Sequence, residues 1–303
     1  MSPLASPNRR QFLQGSAALA GGLGLFPFSR PAAGQAQGRP AWPHPIGLQI
    51  YTVRNDYARD PLGTLRQVER IGYREVELID VDKIPAPRLR QYLAQTHLHA
   101  VGGHFGYGET AAHWQKIADL ARRVGLQYVV CPFANASTES GWKKIADNFN
   151  QAGRICHRAG LQFAYHNHLQ EFRPVGHSTG YALLAGNTDP SLVQLEMDVF
   201  WLVYAGQDPI TYFHRYAGRY TLLHIKDMKK KLGYRWNPRQ FPPRGHDPFT
   251  EVGRGRIDWR RIFAHTQLAG TKHIFVEQDE PGHLPEMQAA AISYRYLKHL
   301  RMG

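Results

Sequence analysis

Imidazole and carboxylate side chains end several of the short apolar runs in this sequence. His166, Asp198, His224 and Glu277 each close such a run. Imidazole nitrogens and carboxylate oxygens suit divalent ions, whereas a closed structural zinc site would use thiolates. We therefore predict that these four residues hold one divalent metal ion, which could be Mn, Zn, Co, Fe or Mg. His168 is an alternative to His166 as the first ligand.

The residues around these positions also favour a cation. Side chains two apart on a strand share one face of the sheet. Carboxylates and imidazoles collected on one inward face would repel each other or lack partners unless a cation lay between them. The pairs placed in this way are Glu75 with Glu77, His166 with His168, Glu196 with Asp198, and His224 with Lys226.

Such a site needs elements that bring the ends of distant strands together. From residue 46 onward, β-rich runs alternate with helical patterns, which predicts a parallel sheet covered by helices. Eight such units, with no glycine-rich phosphate loop after the first strand, predict a single-domain α/β fold, a closed (β/α)8 TIM barrel. The predicted strands are Ile46–Thr52, Tyr73–Leu78, Ala100–His104, Tyr128–Pro132, Leu161–His166, Val193–Asp198, Tyr220–Lys226 and His273–Glu277.

Helix boundaries are marked by capping residues and glycines. Asp60 and Asp208 each precede a proline, which predicts an N-cap followed by proline at the first helical position. Gly72, Gly125 and Gly160 are expected to end helices that lead into strands. The predicted helices are Pro61–Ile71, Pro85–Gln95, Ala111–Val124, Trp142–Ala159, Pro209–Ala217, Asp258–Ala264 and Leu284–Leu300.

The first residues have the pattern of an export signal. Arg9-Arg10-Gln11-Phe12-Leu13 precedes an apolar run rich in small residues, which predicts a Tat-type signal peptide over 1–36. A linker over 37–45 and the barrel over 46–303 follow. The apolar run is too short and too rich in glycine for a stable membrane anchor. We therefore expect transient contact with the Tat export machinery and a periplasmic or secreted protein.

One long irregular segment interrupts the alternation. Residues 227–256 follow the seventh strand and are rich in Pro, Gly, Arg and aromatic residues. In a barrel, this position is beside the mouth, where functional residues collect, so the segment is predicted to be a lid-like insertion. A solvated surface loop is the alternative.

Composition limits the classes of partner. The formal net charge of +13 falls by three when Arg9, Arg10 and Arg30 leave with the signal peptide. The remaining Lys and Arg residues are scattered and accompany no nucleic-acid motif, so nucleic acid is not an expected partner. Cys131 and Cys156 are interpreted as two separate buried thiols, with a single disulfide as the alternative. A homo-oligomer is compatible with the sequence.

Several segments, taken in order, resemble one known family. They are Gly47–Arg54, Tyr165–His168 followed by Glu171-Phe172, Met197–Trp201, His224–Asp227 and Val252–Gly255. Together they are similar to the xylose-isomerase-like TIM barrels, also called the sugar phosphate isomerase/epimerase family. The resemblance covers residues 46–300 and is specific for the superfamily but not for one reaction.

The resemblance implies a metal held by Glu, Asp, His and Glu from strands five to eight. Asp198, His224 and Glu277 match that pattern, whereas His166 takes the place of the first glutamate. This departure puts the usual proton transfer by two glutamates in doubt.

Proton transfer would then use Glu277 together with His168, Lys226 or Glu77, each of which could reach a metal-bound sugar from the barrel rim.

Three further residues are candidates for binding the substrate, a small sugar or glycoside. His104 ends the third strand, Trp201 follows Asp198 by three residues, and Arg54 lies just beyond the first strand. Trp201 is placed to stack on a sugar ring, with packing beneath the insertion as the alternative. Arg54 is expected to meet the substrate or to pair with an acidic residue.

These observations predict a divalent-metal-dependent carbohydrate isomerase or epimerase that removes a proton next to a metal-polarised carbonyl. The first alternative is a lyase or dehydratase that acts by β-elimination on a keto-sugar or 3-keto-glycoside. The second is a sugar-binding barrel without catalysis. Metal-assisted cleavage of abasic DNA is a weaker third, because it would need many more His and Glu ligands.

Overall fold

Eight parallel strands close into a barrel in the computed structural model, which describes residues 38–232, 237, 247–280 and 282–303. In space the strands follow the order one, eight, seven, six, five, four, three, two. The predicted single-domain TIM barrel is therefore confirmed. In chain order the strands are Gly47–Gln49, Glu75–Leu78, His99–His104, Tyr128–Cys131, Gln162–His166, Val193–Asp198, Leu222–Ile225 and His273–Val276.

Helices surround this barrel and cover its outer face. No helix in the described residues is long and apolar enough to cross a membrane. Two short hairpins, 174–175 with 178–179 and 227–228 with 249–250, lie outside the barrel sheet. The α-helices are Arg54–Arg59, Pro61–Ile71, Ala86–Ala94, Ala111–Val124, Glu139–Arg158, Gly180–Asn187, Val199–Tyr204, Pro209–Arg215, Trp259–Phe263, Thr266–Ala269 and Glu286–His299.

Capping explains most helix starts. The Asp60 carboxylate accepts a hydrogen bond from the backbone N–H of Gly63, as predicted from the sequence. Thr138 caps the helix Glu139–Arg158, which therefore begins three residues before the predicted start at Trp142. Asp208 makes no capping hydrogen bond; its carboxylate instead lies 2.7 Å from the Arg261 guanidinium.

Four helices were absent from the sequence prediction: Arg54–Arg59, Gly180–Asn187, Val199–Tyr204 and Thr266–Ala269. Val199–Tyr204 begins directly after the sixth strand, and its apolar sequence has no helical periodicity. The helix forms there because the Asp198 carboxylate accepts a hydrogen bond from the backbone N–H of Trp201. Gly180–Asn187 begins after Thr179, whose hydroxyl caps it in the same way.

The base of the predicted insertion is held by one buried carboxylate. Asp227 accepts hydrogen bonds from Trp259 Nε1 and from four backbone N–H groups, two of them those of Gly253 and Gly255. A Cβ on Gly255 would lie 2.0 Å from Asp227 Oδ1, so only glycine allows this approach. The insertion is thus tied to the barrel at its base. Residues 233–236 and 238–246, the middle of the predicted lid, lie outside the described residues, as does the predicted signal peptide.

The register of the sheet brings the chemically active residues to one end of the barrel. Asp198 lies opposite His224 in the neighbouring strand, and His166 lies opposite Glu196. Glu75, at the start of the second strand, lies elsewhere and binds His273 at 3.0 Å. Glu75 and Glu77, which were predicted to share one face of their strand, lie at different levels of the barrel, and only Glu77 reaches the histidines at the carboxyl end.

Candidate metal centre

Four side chains from the last four strands converge at the carboxyl end of the barrel. We call His166, Asp198, His224 and Glu277 the rim group; one ligand atom from each lies within 4.8 Å of the others. His224 Nδ1 is 2.8 Å from Glu277 Oε2, and His166 Nε2 is 3.8 Å from Asp198 Oδ2. All four residues are buried. The geometry is that of a possible divalent-metal site.

A second set of possible ligands shares two of these histidines. We call His104, His166, Glu196 and His224 the inner group, because Glu196 precedes Asp198 by two residues on the same strand. Glu196 Oε2 lies 3.2 Å from His166 Nδ1 and 3.3 Å from both His104 Nε2 and His224 Nε2. The sequence placed Glu196 beside Asp198 on the inward face, but the inner group itself was not predicted.

His166 and His224 belong to both groups. Each directs one ring nitrogen toward a rim carboxylate and the other toward an inner carboxylate. His224 presents Nδ1 to Glu277 and Nε2 to Glu77, at 2.8 Å in both cases. His166 presents Nε2 to Asp198 and Nδ1 to Glu196. Metal-binding histidines commonly donate their second ring N–H to a carboxylate, which fixes the tautomer. The inner carboxylates are therefore placed to orient the histidines of the rim group.

The donor chemistry fits a cation. Glu77 Oε1 and Glu196 Oε1 are buried and have no hydrogen-bond partner among the described residues. Lys226 supplies one positive charge, since its ammonium lies 2.9 Å from Asp198 Oδ2 and 2.7 Å from Glu277 Oε2. Buried carboxylates in this number need further positive charge, which protonated histidine or a bound metal would supply.

Neighbouring charges shift the pKa values of the imidazoles in opposite directions. Burial lowers the pKa of His104, but the Glu77 and Glu196 carboxylates outweigh it and raise that pKa to about 9. Burial, with the charges of His166 and Lys226 nearby, lowers the pKa of His168 well below its ordinary value. The Nδ1 atom of His168 has no hydrogen-bond partner among the described residues.

A cavity of about 440 Å³ opens above the rim group, and we call it the mouth pocket. Asp279 lies in its wall and accepts a hydrogen bond from Lys226 at 2.8 Å. Burial and the Glu277 charge raise the pKa of Asp279 to about 6, against the opposing effect of Lys226. The residues that line the pocket are Tyr51, Ile79, Asp80, His104, Pro132, Phe133, His166, His168, Glu277 and Asp279.

The predicted catalytic residues occupy three positions. Glu277 and His168 line the mouth pocket. Lys226 is 1% exposed and lies behind Asp198 and Glu277. Glu77 is fully buried on the inner side of His224, so it reaches the histidines and not the pocket wall. The individual catalytic roles stay predictions.

The predicted substrate-binding residues also differ in position. His104 lines the mouth pocket. The Trp201 ring packs against His168 and lies 5.6 Å from the Lys226 ammonium, outside the pocket lining. Arg54 is 3.5 Å from Glu280 and covers the Tyr51 ring at 4.4 Å.

Asp279, Tyr51 and Phe133 are pocket residues that the sequence prediction did not include. Asp279 could have been found from its position two residues after Glu277 in the loop beyond the eighth strand.

The cysteines agree with the interpretation as separate thiols. Cys131 and Cys156 are both buried and unpaired. Burial raises the pKa of each thiol to about 12. Neither thiol contributes to the metal centre.

Comparison with known families assigns the fold to a class of proteins. A family model for the xylose isomerase-like TIM barrel matches residues 65–300. The chain therefore belongs to the xylose isomerase-like TIM barrel family. A sugar phosphate isomerase/epimerase from Parabacteroides distasonis superposes with a TM-score of 0.73 at 23% identity, covering 88% of this chain and 96% of that one. At this identity the match shows the shared fold.

Two curated relatives carry the same name. An inosose dehydratase of Lacticaseibacillus casei is 25% identical over 254 residues, which are 75% of this chain and 85% of that protein. An inosose dehydratase of Clostridium beijerinckii is 32% identical over 143 residues, 44% of this chain and 45% of the relative. The chain thus spans less than half of the second protein's length. Both relatives are named inosose dehydratase.

Proposed function

We propose that this chain is a divalent-metal-dependent lyase that acts on a ketone derived from a sugar or cyclitol. The observation that carries the proposal is the convergence of His166, Asp198, His224 and Glu277 at the carboxyl end of the barrel, where His166 and Glu277 line the mouth pocket. The names of the two dehydratase relatives favour elimination over isomerisation. The substitution of histidine for the first glutamate of the family pattern favours it as well.

The rim group would hold the ion, and the inner carboxylates would orient its histidines. When bound, a divalent cation supplies Lewis acidity at a substrate carbonyl. His168 lines the pocket and its Nδ1 has no hydrogen-bond partner among the described residues, so it is placed to accept the proton from the carbon next to that carbonyl. The C–O bond on the following carbon then breaks. Asp279 is placed to donate a proton to the departing oxygen, which leaves as water or an alcohol.

Isomerisation or epimerisation, the function predicted first from the sequence, shares the initial proton removal. It differs in the second step, since a proton returns to carbon and no C–O bond breaks. The two reactions give different products, so product analysis separates them.

The test incubates metal-loaded protein in D2O with an inosose, a ketohexose and a 3-keto-glycoside, followed by NMR. Loss of water or alcohol supports the lyase. Deuterium in the recovered substrate or in an isomer, without elimination, would replace the lyase with an isomerase. If neither reaction occurred, a sugar-binding barrel without catalysis would be the remaining candidate. Asp198→Asn is expected to abolish turnover, whereas Asp208→Asn, on the outer helices, serves as the matched control.

We also propose export through the Tat pathway to the periplasm or beyond. The proposal rests on Arg9, Arg10 and the apolar run that follows them. Replacing both arginines by lysine in the full chain is expected to retain the protein in the cytoplasm of its host. Cell fractionation measures this, and unchanged export of the variant would contradict the proposal.

A further inference from the structure

Two large apolar side chains are exposed in the described part of the chain, and both line the mouth pocket. Tyr51 is 40% exposed and Phe133 is 52% exposed. Scattered exposed apolar residues are ordinary on protein surfaces, but exposed aromatic rings that share one cavity indicate a binding surface. A metal centre does not require exposed aromatic rings, so these two rings need a separate explanation.

The two rings lie on the side of the mouth opposite the rim group. Tyr51 follows the first strand and Phe133 follows the fourth, and the second and third strands lie between them in the sheet. The rim group comes from strands five to eight. Ile79, after the second strand, fills the arc between the two rings. The half of the mouth formed by strands five to eight thus carries the rim group, and the half formed by strands one to four carries both rings together with the polar residues Asp80 and His104.

Both rings are held in place by their neighbours. The Arg54 guanidinium stacks on the Tyr51 ring at 4.4 Å and donates a hydrogen bond to the Tyr51 carbonyl oxygen. The backbone N–H of Tyr51 donates to Gln49 Oε1 at 3.1 Å. Phe133 packs edge-on to His168, with 6.1 Å between ring centroids. The exposed faces are therefore preformed, which reduces the entropic cost of binding.

The backbone next to the rings is strained. Asp80 also lines the pocket, and its φ is 51°. Among the described residues, it is the one non-glycine residue with a positive φ. Such conformations cost about 1–3 kcal/mol and concentrate at functional sites. The strain therefore agrees with a functional role for this half of the mouth.

We propose that Tyr51 and Phe133 form a second subsite that binds the ring of the leaving group of a keto-glycoside. The proposal rests on the proposed lyase function and specifies its substrate class. The keto ring would lie over the rim group, and a second ring attached through the glycosidic oxygen would lie against the aromatic half. A cavity of about 440 Å³ falls in the range that holds drug-sized ligands, so it has room beyond a single six-membered ring.

The chemical step is the same elimination with a different leaving group. The proton on the carbon next to the ketone passes to His168, and its electron pair forms a carbon–carbon double bond. The bond between the following carbon and the glycosidic oxygen breaks. Asp279 supplies the proton to that oxygen, and the second ring departs as an alcohol. No oxidant or reductant is consumed.

The shared chemistry is a flat ring with an apolar face, and a second sugar and an aryl group both provide one. The experiment compares a free 3-keto-hexose with its glucosyl and phenyl glycosides, using metal-loaded full-length protein. Tyr51→Ala and Phe133→Ala are expected to raise KM about five- to tenfold for the glycosides. The loss in kcat/KM should be several-fold smaller for the free keto-sugar than for either glycoside. The glycoside with the larger change identifies the preferred ring.

Tyr92→Ala, which removes a half-buried ring outside the mouth pocket, is the matched control, and Tyr51→Phe is expected to retain wild-type KM. Equal losses for the free sugar and for both glycosides, or no loss for any of them, would overturn the subsite. Binding of the unoxidised phenyl glycoside, measured by calorimetry, separates the two proposals. Weaker binding in the alanine variants without any turnover would support the subsite while rejecting the lyase.

Discussion

The metal centre depends on histidines that contact carboxylates through both ring nitrogens. His224 lies between Glu277 on the rim side and Glu77 on the inner side. Each nitrogen can bind a metal only when it carries no proton, so the inner carboxylates favour Nδ1 as the ligand by accepting the proton on Nε2. Glu277 therefore lies on the metal-binding side of the His224 ring, and Glu77 lies on the side that orients the ring.

The first prediction ranks metal affinities. Asp198→Asn and Glu277→Gln each remove a proposed ligand and should weaken binding of a divalent ion by more than about 100-fold. Glu196 only orients a ligand, so Glu196→Gln should weaken binding by about 10- to 100-fold. Competition with a chromophoric chelator measures the dissociation constants. Asp208→Asn provides the control. A larger loss in Glu196→Gln than in Asp198→Asn would place the ion in the inner group.

Glu171 is a buried carboxyl group, and burial makes its ionised form less stable than it would be in water. Burial raises its pKa to about 7, although hydrogen bonds from Tyr165 and the backbone N–H of His168 oppose the shift. A carboxyl whose folded pKa is raised stabilises the fold fully below its unfolded value near 4.5. That contribution is lost as the pH rises through 7.

The second prediction follows from that sign. The wild-type protein should lose about 3 kcal/mol of stability relative to Glu171→Gln between pH 4.5 and pH 8, since one pKa unit corresponds to about 1.4 kcal/mol. Urea unfolding of both proteins at several pH values, without metal, gives the difference. A difference that is the same at every pH would show that folding leaves the pKa of Glu171 unshifted.

At the scale of elements, the insertion is anchored by Asp227. Its carboxylate is fully buried and satisfies five N–H donors from the segments on both sides of the insertion. Asparagine keeps the size of the side chain but replaces one acceptor by a donor, which would face N–H groups that donate. Several buried donors would then lack a partner.

The third prediction is that Asp227→Asn lowers the free energy of unfolding by about 2–4 kcal/mol, because buried unpaired donors each cost about 1–3 kcal/mol. Denaturant unfolding measures the change. Asp247→Asn is the matched control in the same hairpin and should cost less than about 1 kcal/mol, since its partner Lys229 is half-exposed. Equal effects for the two variants would contradict an anchoring role.

The elements also show how far the sequence determines the site. The eight strands and the four rim residues were predicted, because strand composition and the ends of strands are local features. Glu196 was not assigned to a ligand set, since its partners are fixed by the register between strands five, six and seven. Tyr51 and Phe133 were missed because burial is a property of the closed barrel. A local pattern does not distinguish an exposed ring from a packed one.

At the scale of the whole molecule, the barrel mouth collects the ends of all eight strands, so binding at the mouth stabilises the closed cylinder. An ion bound by the rim group would link four parts of the barrel, because the rim group joins strands five, six and seven and the loop that begins after strand eight. Ligand binding to the native state alone raises stability in proportion to the logarithm of ligand concentration.

The fourth prediction is that the preferred divalent ion, at 100 times its dissociation constant, stabilises the protein by about 2.7 kcal/mol and raises Tm by about 5–10 °C. A chelator should reverse the shift. Calorimetric melting with and without ion measures it, and Asp198→Asn should melt at one temperature in both conditions because it lacks a rim ligand. If that variant responded to the ion as the wild type does, the stabilising ion would be bound elsewhere on the molecule. The rim group would then lose its role in joining the strands, even if the sequence and the fold were otherwise as described.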